Sequence, residues 1–110
     1  MDEKRLYILA VLLLGLVTVP FSVEAQQKDA FKKEHFINNT DTLHYRVLFP
    51  NNFSEKKEYP LVLFLHGAGE RGNNNESQLI HGSDIFLNSR ENFPAIVVFP
   101  QAQKTIIGQM

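Results

Sequence analysis

The chain has 110 residues, 44% of them hydrophobic and 21% charged, with a formal net charge of −1 and no cysteine. This is a globular composition for at most one domain, and it excludes a disordered, collagen-like or disulfide-stapled chain. A near-neutral charge with no basic stripe also argues against a nucleic-acid partner, because phosphates are held by clustered Lys and Arg.

Residues 1–25 have the pattern of a secretory signal peptide: basic Lys4 and Arg5, an apolar stretch from Leu6 to Val19, Pro20, and the small-residue motif Val23-Glu24-Ala25 before Gln26. The apolar stretch is 14 residues long, against about 20 for a spanning helix, so cleavage after Ala25 is expected rather than a stable membrane anchor. That predicts a secreted or periplasmic protein. The remaining residues 26–110 carry nine basic and nine acidic side chains. A domain this small buries about two-thirds of its chain surface or less, so its core is marginal.

Gln26–Lys33 reads as a polar, loose leader. His35-Phe36-Ile37 reads as a short strand ending at the turn cluster Asn38-Asn39-Thr40-Asp41. In Thr42–Phe49, Leu43, Tyr45, Val47 and Phe49 alternate with Thr42, His44, Arg46 and Leu48. This period of two predicts a strand with one buried face, paired with the first as a hairpin.

After a polar connection closed by Pro60, Leu61–Leu65 (LVLFL) has no polar alternation, and Ala95–Phe99 (AIVVF) is a second such run. Short segments apolar on both faces fit parallel strands covered on each side. Between them Asn75 is placed to cap a helical turn with Gln78 in the reciprocal position, Gly82 to end it, and Ser83 to cap a helix over Asp84–Ser89. Strand, helical segment and strand form the unit that builds a parallel sheet, so the predicted class is α/β.

Gly67, Gly69 and Gly72 stand in the spacing G-x-G-x-x-G directly behind the first apolar run. A dinucleotide fingerprint also needs a helix opening inside the motif and an acidic residue at the end of the next strand. Instead Asn73, Asn74 and Asn75 follow the glycines, and the next strand ends in Phe99-Pro100-Gln101. Glu70 would also set a carboxylate beside a pyrophosphate. No nucleotide or other cofactor is expected, and no His pair has metal-ligand spacing.

The same letters fit a loop after the third strand of an α/β-hydrolase sheet, where a main-chain N–H helps bind the oxyanion of a tetrahedral intermediate. HGAGERG, preceded by YPLVLFLHG and followed by Asn74-Asn75, His81-Gly82 and FPAIVVFPQ, resembles the first part of secreted phospholipase/carboxylesterase-type α/β-hydrolases related to dienelactone hydrolase. The resemblance covers roughly Tyr45–Gln101. It implies an incomplete N-terminal part of that fold: an antiparallel first hairpin, then parallel strands joined by a helical crossover.

The resemblance further implies a Ser-His-Asp hydrolase of carboxylic esters, acting on a small-molecule or a glycan- or lipid-linked ester. It assigns the Ala68 main-chain N–H to the oxyanion hole. Gly67 and Gly69 would shape the loop, His66 would brace it, and Glu70 and Arg71 would fix it through hydrogen bonds or an ion pair. None of Ser54, Ser77, Ser83 or Ser89 lies in a G-x-S-x-G frame, so the nucleophile, the acid and the catalytic histidine are expected outside this sequence. The 110 residues alone are expected to be inactive. After Gln101 the tail departs from the family pattern, which a truncated gene, an incomplete assembly or a frameshift would each explain. The other reading is a small exported binding or relic module without catalysis.

Overall fold

The computed structural model describes residues 3–4 and 28–104. The predicted signal peptide, apart from two residues, and the tail from Thr105 onward lie outside the described residues. Among the described residues no helix is long and apolar enough to cross a membrane.

Four strands form one mixed sheet: β1 (Lys32–Asn38), β2 (Asp41–Leu48), β3 (Leu61–Leu63) and β4 (Ile96–Gln101). Their spatial order is β1-β2-β4-β3. The predicted hairpin is present, with β1 antiparallel to β2 and Asn38 opposite Asp41. Its turn carries Asn39 at φ 53, a left-handed conformation that asparagine tolerates better than most residues. The predicted parallel pair is also present, with Val62 opposite Val97, while β2 runs antiparallel to β4. Between β3 and β4 lie two 3-10 turns, Ala68–Glu70 and Ser77–Leu79, and one short helix, α1 (Ser83–Asn88).

The core lies on one face of the sheet. Leu48, Val97 and Phe99 are buried there with Phe31, Leu79 and Ala95, and Val62, Phe64, Phe86 and Leu87 pack around them. Phe99 has no exposed surface and meets Phe31, Phe64 and Phe86 at ring-centroid distances of 5.3, 4.8 and 5.8 Å. Burial on that scale contributes about 1.5–3 kcal/mol per large side chain. Gly82 has φ 85, and a Cβ there would stand 2.4 Å from the Phe64 ring. A side chain at this position would meet both backbone strain and an aromatic wall.

Several expectations are corrected. The described part of the leader, from Lys28 on, is not loose: Phe31 belongs to the core, and β1 starts at Lys32. In β2 the more polar face is the covered one, with Arg46 at 4% exposure and Leu48 buried, while Leu43 on the other face is exposed. Arg46 can be buried because its guanidinium donates to the carbonyls of Asn75 (2.6 Å) and Phe31 (2.7 Å). Desolvation by burial lowers its pKa from the ordinary value, opposed by Glu76 and Asp29.

LVLFL is not buried on both faces: Leu61, Leu63 and Leu65 are 71, 61 and 70% exposed, because nothing among the described residues covers their side of the sheet. The capping assignments shift too. Asn74 rather than Asn75 holds the second turn, its Oδ1 accepting from the N–H groups of Glu76 and Ser77. Ser83 is the first residue of α1 and sends its hydroxyl back to the Leu79 carbonyl. Gly82 takes the cap position, where its positive φ is admissible.

Candidate active site

The HGAGERG loop leaves the carboxyl end of β3 beside the carboxyl end of β4, the place where open α/β sheets hold their ligands. A depression of about 330 Å³ opens there, lined by Leu43, Leu65, Gly67, Ala68, Arg71 and Pro100 among others. A larger hollow of about 940 Å³ lies at the opposite end of the strands, around Pro60 and Pro94. Loop main chain and the ends of both parallel strands converge on the smaller one.

Gly67 is extended, with φ −81 and ψ 174, and leads into the 3-10 turn Ala68–Glu70, closed by Glu70 N–H donating to the Gly67 carbonyl at 3.2 Å. The first N–H groups of such a turn have no acceptor within it. Among the described residues the N–H groups of Ala68 and Gly69 have no other acceptor, and both residues are exposed. A Cβ on Gly67 would lie 3.1 Å from Glu70 Oε2, whereas the space at Gly69 is open. The three glycines do not open a helix: residues 71–76 are irregular, as the nucleotide reading required them not to be.

His66 sits across the mouth of the loop. Its Nε2 accepts from Ala102 N–H at 2.9 Å, which leaves Nδ1 to carry the proton and donate to the Gly67 carbonyl. The ring thereby ties the loop's entry to the end of β4. Glu70 turns inward, mostly buried, with Oε1 3.2 Å from Nε2 of the exposed His81. Arg71 is exposed on the rim of the depression, and among the described residues its guanidinium has no hydrogen-bond or ion-pair partner.

The four serines considered as nucleophiles have local roles. Ser54 Oγ accepts from Lys56 N–H, and Ser77 Oγ accepts from Asn74 Nδ2. Ser83 and Ser89 donate to the carbonyls of Leu79 and Ile85. None of them bonds a histidine. Among the described residues no group of three or more metal-binding side chains comes together.

Four buried polar residues behind the loop carry no signal as site residues in the sequence: Arg46, Asn75, Gln78 and Gln101. Asn75 has φ 53, and its side chain donates to the carbonyls of Glu34 and Tyr45 while accepting from Gln78 Nε2. Gln78 Nε2 also reaches the Phe99 carbonyl, and Gln78 Oε1 has no partner among the described residues. Asn75 and Gln78 pair locally, but the partners of Arg46 and Gln101 lie 15 to 31 positions away in the chain, where a local pattern does not reach.

No protein-family model matches the chain. Dipeptidyl-peptidase 5 of Aspergillus fumigatus, in each of two strains, is 44% identical to it over 39 residues, which are 36% of this chain and 5% of the peptidase. The crystal structure of a thermostable esterase is similar with a TM-score of 0.61 and 32% sequence identity, over 68% of this chain and 22% of that one. The chain thus spans a small part of the length of either relative. The described residues form part of an α/β-hydrolase fold, and the chain is related to hydrolases, an esterase and a peptidase among them.

Proposed function

We propose that these residues are the front of an exported serine hydrolase that cleaves carboxylic esters. The observation that carries the reading is the loop after β3, where Ala68 N–H is left without an acceptor beside a depression at the strand ends, in a chain similar to an esterase. In this reading a serine outside the 110 residues attacks the ester carbonyl and a histidine shuttles the proton. Ala68 N–H, with the N–H of the residue after that serine, stabilises the oxyanion. His66 and Glu70 hold the loop, and the substrate is a small-molecule or a glycan- or lipid-linked ester.

The test compares the 110-residue chain with a hybrid in which residues 28–104 replace the structurally matching segment of the thermostable esterase. The chain alone should turn over p-nitrophenyl acetate no faster than buffer, and the hybrid should be active. In the hybrid, Ala68→Pro deletes one N–H at the first position of a turn, where proline fits. It should lower kcat on the order of 10²- to 10³-fold, the value of one oxyanion donor. An active hybrid indifferent to Ala68→Pro would remove the loop from the mechanism. The second reading is a small exported binding module without catalysis. A monomeric, cooperatively melting product from residues 26–110 would support it.

A further inference from the structure

We infer that Gln101 is a positioning residue for the oxyanion loop, an inference that rests on the esterase reading above. Gln101 is the last residue of β4 and is 1% exposed. Its side-chain amide spends all its observed hydrogen bonds on the returning limb of one loop. Oε1 accepts from Asn75 N–H at 2.7 Å, and Nε2 donates to the Glu70 carbonyl at 3.1 Å and to Asn74 Oδ1 at 2.9 Å. The next residue completes the clasp through its main chain. Ala102 accepts from Gly72 N–H at 2.9 Å, and its own N–H donates to His66 Nε2 on the outgoing limb.

Two consecutive residues at the end of the central strand therefore hold both limbs of the segment from His66 to Asn75. Ala68 lies between those limbs with its N–H unengaged. The peptide that carries this N–H is held at its other end, where the Gly67 carbonyl accepts from Glu70 N–H and from His66 Nδ1, and His66 is itself tied to Ala102. The polarity of the amide is specified as well as its shape. Nε2 faces two acceptors and Oε1 faces a donor, so glutamate would fit the space but set a carboxylate oxygen against the Glu70 carbonyl and Asn74 Oδ1. Asn75 is fixed in turn from behind by Arg46 and Gln78, so the clasp closes on an anchored point.

The experiment uses the hybrid enzyme and reads two quantities in parallel: steady-state kinetics, and amide hydrogen exchange at Gly72 and Asn75. Gln101→Glu keeps the volume and reverses the polarity. It should lower kcat on the order of 10²-fold, as a misplacement near 1 Å does, with KM unchanged and faster exchange at both amides. Asn74 is exposed, and its Oδ1 accepts from Gln101 as well as from the turn N–H groups of Glu76 and Ser77. Asn74→Leu should lower kcat to a smaller degree in a folded enzyme, and Asn74→Asp, which keeps the acceptor, should restore it. Faster exchange with kcat unchanged in Gln101→Glu would overturn the positioning role, as would equal kcat in the two Asn74 variants. A wild-type hybrid with no ester turnover would sink the esterase reading instead. In that case the exchange data still decide whether Gln101 holds the loop, and unchanged protection in Gln101→Glu overturns it.

Discussion

Val98 and Phe99 are neighbours in β4, yet their side chains leave the sheet toward different surroundings. On the Phe99 side, Leu48, Val97 and Gln101 are buried beneath the loop, the 3-10 turns and α1, and even Arg46 is enclosed. On the Val98 side, Val47 is the one buried strand residue among the described residues, while Leu61, Leu63, Leu65, Leu43 and Phe36 stand exposed. The covered side is the more polar in sequence and the better packed. Arg46, Asn75, Gln78 and Gln101 form hydrogen bonds that tie irregular chain down onto it, whereas apolar leucines alone attract no cover from within these residues. The depression beside the loop is lined by Leu43, Leu65 and Pro100, so the candidate site opens on the side these residues leave bare, while the loop that borders it is tied down from the covered side.

The largest effect should come from Phe99→Ala in the hybrid, a loss of about 3–5 kcal/mol read from the chemical denaturation midpoint. Arg46→Met should follow, at about 2–3 kcal/mol, because two buried carbonyls lose their donor. Gly82→Ala should cost about 1–3 kcal/mol through overpacking against Phe64. On the other side, replacing Leu61, Leu63 and Leu65 together by threonine in residues 26–110 should change stability by only about 0.5 kcal/mol per site. It should also shift the product from aggregate toward monomer in sedimentation velocity, because the exposed β3 edge loses its apolar face. A cost approaching that of Phe99→Ala would show that the leucine face is covered after all.

Glu76→Gln should have the smallest effect. Its carboxylate pKa is held below the ordinary value first by the hydrogen bond from Lys33, then by the charges of Lys33, Arg46 and Lys28. A lowered carboxylate stabilises the fold above its unfolded pKa, and that contribution is lost as pH falls through the lowered folded value. The variant should therefore show a slightly flatter melting temperature on the acid side and no change of slope near neutrality.

The apolar runs LVLFL and AIVVF announced the two parallel strands, and the asparagine-rich cluster before Thr42 announced the hairpin turn. HGAGERG was recognisable because a glycine-rich loop after a buried-looking strand has few uses. Phe31 escaped notice because a single aromatic in a polar leader leaves no period to detect. Arg46 was assigned to the wrong side because the carbonyls that satisfy it come from residues 15 and 29 positions away. The three consecutive asparagines could not be told apart as letters, yet Asn74 holds a turn on the surface and Asn75 is buried at φ 53.

The order β1-β2-β4-β3 also imposes a schedule on synthesis. The first hairpin can close as soon as Leu48 has emerged, since its partners are adjacent in the chain. β3 must wait, because its ladder partner begins at Ile96, opposite Leu61. The clasp waits longer still, until Gln101 and Ala102 have been added. Throughout that interval LVLFL is an unpaired apolar strand on a nascent chain, the kind of segment that chaperones bind. The glycine loop thus acquires its shape late, and any pause in elongation between Leu65 and Gln101 prolongs the exposure of its most adhesive neighbour.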